Sequence, residues 1–204
     1  MFQIPRFYPI LDTGRFQNAA AMFAAAEELR AGGVRLLQYR NKSGNARVML
    51  EQAKELRRLL GESVRLIMND RADLCRAAEF DGVHVGQDDL SVEGARRVIG
   101  PELLLGVSTH NPAQLREADN TQVSYVAIGP VFATASKDNP DPVLGPEGVR
   151  RARGLTRKPL VAIGGITREN ARSVLEAGAD SVAVISDLLQ DPRKSAEEFS
   201  RILG

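Results

Sequence analysis

The segment LVAIGGITRENARSVLEAGADSVAVIS, Leu160–Ser186, decides the fold. It opens on a short apolar run, Leu160–Ile163, of strand length, which the double glycine Gly164-Gly165 ends. A helical pattern follows over Ala171–Ala177, Gly178 interrupts it, and a second apolar run, Ser181–Ile185, leads to Ser186. Strand, helix and strand in succession imply parallel strands joined by a crossover. The end of the segment has an echo earlier in the chain. EAGADSVAV (Glu176–Val184) resembles AAEFDGVHV (Ala77–Val85), and both read as a helix end, a turn and a strand. Gly178 and Gly82 suit tight helix-to-strand geometry.

Working outward, the same unit fills the chain. Further strand-like runs lie at Phe7–Leu11, Leu36–Tyr39, Arg65–Met68, Gly82–Val85, Leu104–Val107 and Tyr125–Ile128. Amphipathic stretches include Ala19–Ala31, Ala46–Leu60 and Ala196–Leu203; in the second of these Val48, Leu50, Leu56, Leu59 and Leu60 recur at helical spacing. With the two runs of the opening segment the strands number eight, which is the count that closes a parallel barrel. The expected fold is α/β, a single-domain (β/α)8 barrel over residues 1–204 with parallel strands and short loops. The competing architecture is an open doubly wound sheet, which wants a glycine-rich fingerprint in its first strand-to-helix turn. That turn here is Leu11-Asp12-Thr13-Gly14-Arg15, with no such run.

Composition narrows the function classes. Lys plus Arg number 27 against 26 Asp plus Glu, so nothing in the overall charge points to nucleic acid or an anionic membrane, and anion binding must be local. The single cysteine, Cys75, allows no internal disulfide and no cysteine metal cluster; it reads as a small buried residue in a helix. No apolar run is long enough to span a bilayer, and the opening MFQIPRF carries no signal-peptide pattern, so a cytoplasmic location is the expectation.

In a barrel of this kind the carboxyl ends of the strands build the active site. Polar groups collect there in this chain. After the second strand come Gln38, Tyr39, Arg40, Asn41 and Lys42; after the third, Asn69, Asp70 and Arg71; after the fourth, Gln87, Asp88 and Asp89. Ser108, Thr109 and His110 follow the fifth, a loop running to Lys137 follows the sixth, and Gly164-Gly165 and Ser186 follow the last two. Glycine lets backbone N–H groups approach an anion, and a following helix N-terminus would add positive potential, so the last two strand ends read as a phosphate cradle. Arg40 and Lys42 stand two apart and can face one side of an extended segment, a pairing suited to a diphosphate, with Lys137 as a third cation. Acidic groups beside such a site suggest Mg²⁺, held by one or two carboxylates together with substrate phosphates and water. Asp70 is one candidate, although capping the next helix would also explain it; spacing does not choose between Asp88 and Asp89 for the other. His84, inside a strand, reads as a satisfied core histidine, and His110 as an acid–base group or a capping or surface residue. The Pro-rich stretch at Asn139–Pro146 reads as an active-site loop or, equally, as a passive surface loop.

Taken in order, QYRNK (38–42), MNDRADL (68–74), GVHVGQDDL (82–90), GVSTH (106–110), IGPVFATASK (128–137), VAIGGIT (161–167) and VAVIS (182–186) resemble the thiamine phosphate synthase family. The resemblance runs from about Tyr8 to Leu188. It implies a transferase that joins a hydroxymethylpyrimidine diphosphate to a thiazole phosphate, carboxylated or not, with loss of pyrophosphate. By the same resemblance Gln38, Tyr39, Arg40, Asn41, Lys42, Asn69, Ser108 and Lys137 would hold the pyrimidine diphosphate, with Arg40, Lys42, Lys137 and Ser108 acting on the reacting groups. Asp70 and Asp89 would carry Mg²⁺, which the resemblance alone decides against Asp88. Thr134, Ala135, Ser136, Gly165, Ile185 and Ser186 would meet the thiazole phosphate. Ser136 stands where the family often has threonine and keeps the hydroxyl; Ala135 stands where it often has an acidic residue and can offer only backbone. The implied chemistry is a dissociative displacement needing no strong side-chain base. The partners expected are phosphorylated small molecules, with no nucleic acid or membrane, and a homodimer is possible. Two rival readings share the barrel. A thiazole tautomerase would use a histidine at His110 and would not be expected to keep both Asp70 and the Gln87–Asp89 motif; a non-catalytic thiamine-precursor binding protein would bind without turnover.

Overall fold

The structure is a computed structural model that describes residues 3–134 and 141–204. Among the described residues eight strands, all parallel, close into a barrel in sequence order, each hydrogen-bonded to the next and the eighth to the first. They are β1 Phe7–Asp12, β2 Leu36–Arg40, β3 Arg65–Asn69, β4 Gly82–Val85, β5 Leu104–Thr109, β6 Tyr125–Ile128, β7 Leu160–Ile163 and β8 Ser181–Val184. The helices between and after them are α1 Ala19–Ala31, α2 Ala46–Leu60, α3 Ala72–Ala77, α4 Val92–Ile99, α5 Pro112–Asp119, α6 Gly145–Arg153, α7 Ala171–Glu176 and α8 Pro192–Leu203. The eight-strand expectation is met, with Ser108 and Thr109 inside β5 rather than after it. No helix of the described residues is long and apolar enough to cross a membrane.

Strand alternation divides the core into two layers. Side chains of one parity fill the barrel interior, among them Tyr8, Ile10, Leu36, Ile67, Tyr125, Ala127, Val161 and Ala183. Those of the other parity, with the buried faces of the helices, form the larger layer between sheet and helices, which includes Leu11, Leu37, Tyr39, Met68, Val83 and the buried Cys75. Helix starts are set by side-chain caps. Asn18, Asn45, Ser91, Asn111 and Asp191 each accept a backbone N–H of the first turn of the helix they precede. The buried stripe of α2 is Met49, Ala53, Leu56 and Leu60; Val48, which the spacing placed in the apolar face, is exposed. Helix α8 begins four residues before its apolar pattern, at Pro192, because Asp191 caps a first turn, Pro192–Ser195, that lacks the apolar periodicity.

The internal echo has a physical content. Asp81 and Asp180 occupy the same place in the two repeats. The Asp81 carboxylate accepts the Leu66 N–H (2.7 Å) at the start of β3 and pairs with Arg57 of α2 (2.5 Å). Asp180 accepts the Leu160 N–H (2.8 Å) at the start of β7 and pairs with Arg153 of α6 (2.7 Å). Each aspartate thus ties the amino end of a strand to the helix before it, on the barrel face that serves stability. Removing the acceptor leaves a backbone N–H without its partner. Asp81→Ala is therefore expected to cost about 1–3 kcal/mol in denaturant unfolding and to leave turnover unchanged at moderate temperature. A variant as stable as the parent would remove this role from Asp81.

Candidate active site

Period-two alternation selects what faces the mouth of the barrel. On β1 to β5 the inward parity ends in Asp12, Arg40, Asn69, His84 and Ser108, with Gln38 one pleat below Arg40. Tyr39 and Asn41 take the opposite parity. The Tyr39 hydroxyl donates to Gln52 Oε1 of α2 (2.6 Å), and Asn41 Nδ2 donates to the Tyr39 hydroxyl and to Gln52, both at 3.0 Å. Their side chains therefore brace β2 against α2 and do not enter the mouth with Gln38, Arg40 and Lys42.

The cations and carboxylates of the mouth pair with one another. Arg40 forms an ion pair with Asp12, its neighbour across the β1–β2 register. Lys42 Nζ meets an oxygen of Asp70 at 2.5 Å. Asp70 is not a helix cap: α3 begins after Arg71 with no side-chain cap, and Asp70 has a left-handed backbone, φ 62°. That conformation turns its carboxyl toward Asp89, whose own carboxylate accepts the Gly86 N–H at 2.8 Å. Burial, and after it the hydrogen bond with Asp89, pushes the Asp70 carboxyl up to about 6 against the pull of Lys42. Burial works upward on Asp89 too, but the hydrogen bonds from Asp70 and Gly86 outweigh it and hold it below the usual carboxylate range. Asp88 is exposed beside them.

Asn69 adds a second signal. It is 7% exposed, and its side-chain amide nitrogen has no hydrogen-bond partner among the described residues. An orphaned buried donor costs about 1–3 kcal/mol, a cost that an arriving acceptor removes. Two facing carboxylates between a lysine and an unused donor fit a small divalent cation that arrives with an anionic ligand. No group of three or more protein ligands exists among the described residues, so water and the ligand's own oxygens would complete the coordination.

Across the barrel, Gly164 (φ 99°) and Gly165 (φ 62°) adopt left-handed backbone after β7. The connection leaving β6 lies directly on them. Val131 N–H donates to Ile163 O and Phe132 N–H to Gly164 O, both at 2.9 Å. A Cβ at Gly165 would stand 2.4 Å from Ala133 O. Ile185 and Ser186 follow β8, where a 3-10 turn spans Ser186–Leu188. Helix α7 starts at Ala171, where the sequence pattern placed it, so its positive end stands several residues beyond the double glycine rather than directly on it. Thr134 is the last described residue of this connection before the break; the expectations for Ala135, Ser136 and Lys137, and for the first part of the Asn139–Pro146 loop, lie outside the described residues.

The two histidines separate as their positions imply. His84 is buried with both ring nitrogens bonded, and burial pushes it down to about 4, so it is neutral near pH 7. His110 Nδ1 donates to Gly129 O at 2.7 Å and supports the base of the connection after β6. Sequence reasoning gave no role to Asp12 and none to the Gln87 side chain. The first shows itself only when the register sets it beside Arg40. The second donates through Nε2 to Ser108 O at 2.6 Å, a contact that neither sequence position foretells.

Comparison with known proteins agrees with this geometry. A family model described as thiamine monophosphate synthase matches residues 7–188. The thiamine-phosphate synthase of Koribacter versatilis (strain Ellin345) is 62% identical, covering 98% of this chain and 97% of its own. That of Chloroflexus aurantiacus is 43% identical, covering 89% and 83%. The solved thiamine phosphate pyrophosphorylase from Pyrococcus furiosus superposes with a TM-score of 0.85 at 35% identity, covering 97% of this chain and 95% of its own.

Proposed function

The chain belongs to the thiamine-phosphate synthase family of transferases, and on that premise we propose that its barrel mouth joins a hydroxymethylpyrimidine diphosphate to a thiazole phosphate with release of pyrophosphate. The observation that carries this reading is that one mouth brings together two unlike sets of groups, each suited to an anion. One is cationic and carboxylate-bearing, on β2 to β4: Arg40, Lys42, Asn69, Asp70 and Asp89. The other is a glycine and serine cradle after β7 and β8: Gly164, Gly165 and Ser186. The first suits a diphosphate and the second a monophosphate.

In this reading Asp70 and Asp89 hold Mg²⁺, which when bound offsets the negative charge of the diphosphate. Arg40 is fixed by its ion pair with Asp12, so its remaining N–H groups stand ready for the departing pyrophosphate without reorganisation. Lys42 brings a mobile positive charge to the same place, and Asn69 Nδ2 supplies a donor that nothing among the described residues uses. The carbon–oxygen bond of the pyrimidine methylene breaks with its electron pair leaving on pyrophosphate, and the thiazole nitrogen closes on the resulting cation. The aminopyrimidine carries that cation by resonance, so the protein supplies electrostatics and position rather than a base. The neutral, fully bonded His84 agrees with that division of labour.

The test is direct. The purified protein with both phosphorylated precursors and Mg²⁺ is expected to release one pyrophosphate per thiamine phosphate formed, and release of neither product by the folded protein would overturn the reading.

A further inference from the structure

One unbroken line of hydrogen bonds runs through the barrel interior. Gln38 Nε2 donates to the Tyr8 hydroxyl (2.9 Å). The Tyr8 and Tyr125 hydroxyls are 2.9 Å apart, Tyr125 OH lies 3.0 Å from His84 Nδ1, and His84 Nε2 lies 2.9 Å from Ser108 Oγ. Five side chains on five strands are joined, and Tyr8, Tyr125 and His84 are buried. Gly106 makes the line possible: a Cβ there would sit 2.1 Å from the Tyr125 ring and 2.5 Å from His84 Nδ1.

Counting donors gives the line a direction. An amide NH₂ can only donate, so Tyr8 accepts from Gln38 and its own proton must go to Tyr125. Tyr125, accepting from Tyr8, has its proton left for His84 Nδ1. A neutral imidazole that accepts at Nδ1 carries its proton on Nε2 and donates it to Ser108 Oγ. Ser108 is then an acceptor inside the protein, and its hydroxyl proton is turned outward to the mouth. At the other end Gln38 has used Nε2 inward and offers Oε1 as an acceptor. The reverse direction would set two donors against the Tyr8 oxygen and leave its proton buried without a partner, at a cost of about 1–3 kcal/mol.

We propose that this chain fixes the hydrogen-bond polarity of the substrate-facing ends, presenting Ser108 as a donor to a phosphate oxygen and Gln38 as an acceptor for an N–H group of the pyrimidine, with Tyr8, Tyr125 and His84 as positioning residues. The substrate half of this inference rests on the proposed function; the polarity of the chain does not. Tyr8, Tyr125 and His84 are buried and each polar side-chain atom along the line has a partner, so the direction follows from the geometry.

The protein has two histidines, which makes ¹⁵N NMR of the histidine-labelled full chain readable, with a His110→Gln variant assigning the signals. His84 is expected as the neutral Nε2–H tautomer, with and without inorganic pyrophosphate and Mg²⁺; a proton on Nδ1 would overturn the polarity whatever the enzyme's substrates are. In turnover, Tyr125→Phe removes one hydroxyl from the line. It is expected to lower kcat/KM for the pyrimidine diphosphate about tenfold, to leave KM for the thiazole phosphate unchanged, and to add nothing to the loss in Ser108→Ala. Additive losses in the double variant, or equal losses toward both substrates, would mean that Tyr125 merely supports the fold. Should Tyr125→Phe fail to fold, Tyr8→Phe gives the same two readings, and the tautomer of the parent protein still decides the direction. A confirmed Nε2–H tautomer with no thiamine phosphate formed would fault the assigned substrates alone.

Discussion

Asp70→Asn lowers turnover by about 10²–10³-fold at saturating substrates and magnesium, the usual cost of one preorganised electrostatic element. Asparagine is the informative replacement because Asp70 sits at φ 62°, a conformation that asparagine tolerates and alanine does not. The variant keeps the turn, the reach of the side chain and one oxygen, and loses only the charge. Asp70 is also held under strain in the electrostatic sense: burial and the facing Asp89 push its carboxyl up to about 6 while Lys42 draws it down. A neutral amide relieves that repulsion, so the variant is expected to be at least as stable in EDTA as the parent while far less active. The Mg²⁺ concentration giving half-maximal rate should rise alongside. Near-normal turnover at saturating Mg²⁺ would take the metal role from Asp70, and a loss of stability matching the loss of activity would make it a structural residue instead.

That stability and activity are expected to move in opposite directions at Asp70 reflects how differently fold and site are written into the chain. The strands were legible because each is a short apolar run flanked by turn residues, and the paired echo at Asp81 and Asp180 repeats a complete helix-to-strand joint. Helix α8 was legible only in its apolar half, since its first turn lacks the apolar periodicity and is announced by the Asp191-Pro192 cap alone. At the site, sequence grouped Gln38 through Lys42 as one segment, whereas the pleat sends Tyr39 and Asn41 to α2 and keeps Gln38 and Arg40 in the mouth. Alternation along β2 already contained that distinction. Asp12 and the Tyr8–Tyr125–His84 line did not show because their partners come from other strands, and the pairing depends on register and on the space left at Gly106. A buried polar residue in one strand looks alike in sequence whether it is idle or joined to four others.

Gly165→Ala is expected to do the largest damage to the monophosphate side of the mouth. Two separate effects meet at this residue. Its φ of 62° strains any residue with a Cβ, which alone costs about 1–2 kcal/mol. The added Cβ would also stand 2.4 Å from Ala133 O and 2.8 Å from Phe132 Cβ, and a backbone oxygen cannot rotate away as a side-chain end can. The connection after β6, tied down by the Val131 and Phe132 N–H bonds to β7, would have to lift off the double glycine. Gly33→Ala separates the two effects. Gly33, in the turn that closes α1, is also left-handed, φ 93°, with nothing within 4 Å of the added Cβ, so it reports the conformational cost alone. Gly33→Ala should therefore lose about 1 kcal/mol of stability with unchanged kinetics. Gly165→Ala should lose about 2–4 kcal/mol and raise KM for the thiazole phosphate about tenfold or more, with KM for the pyrimidine diphosphate little changed. Equal losses in the two variants would mean that the close approach of Ala133 has no energetic weight. A rise in KM for the diphosphate as large as that for the monophosphate would show that the two anion sites on this mouth are not separable.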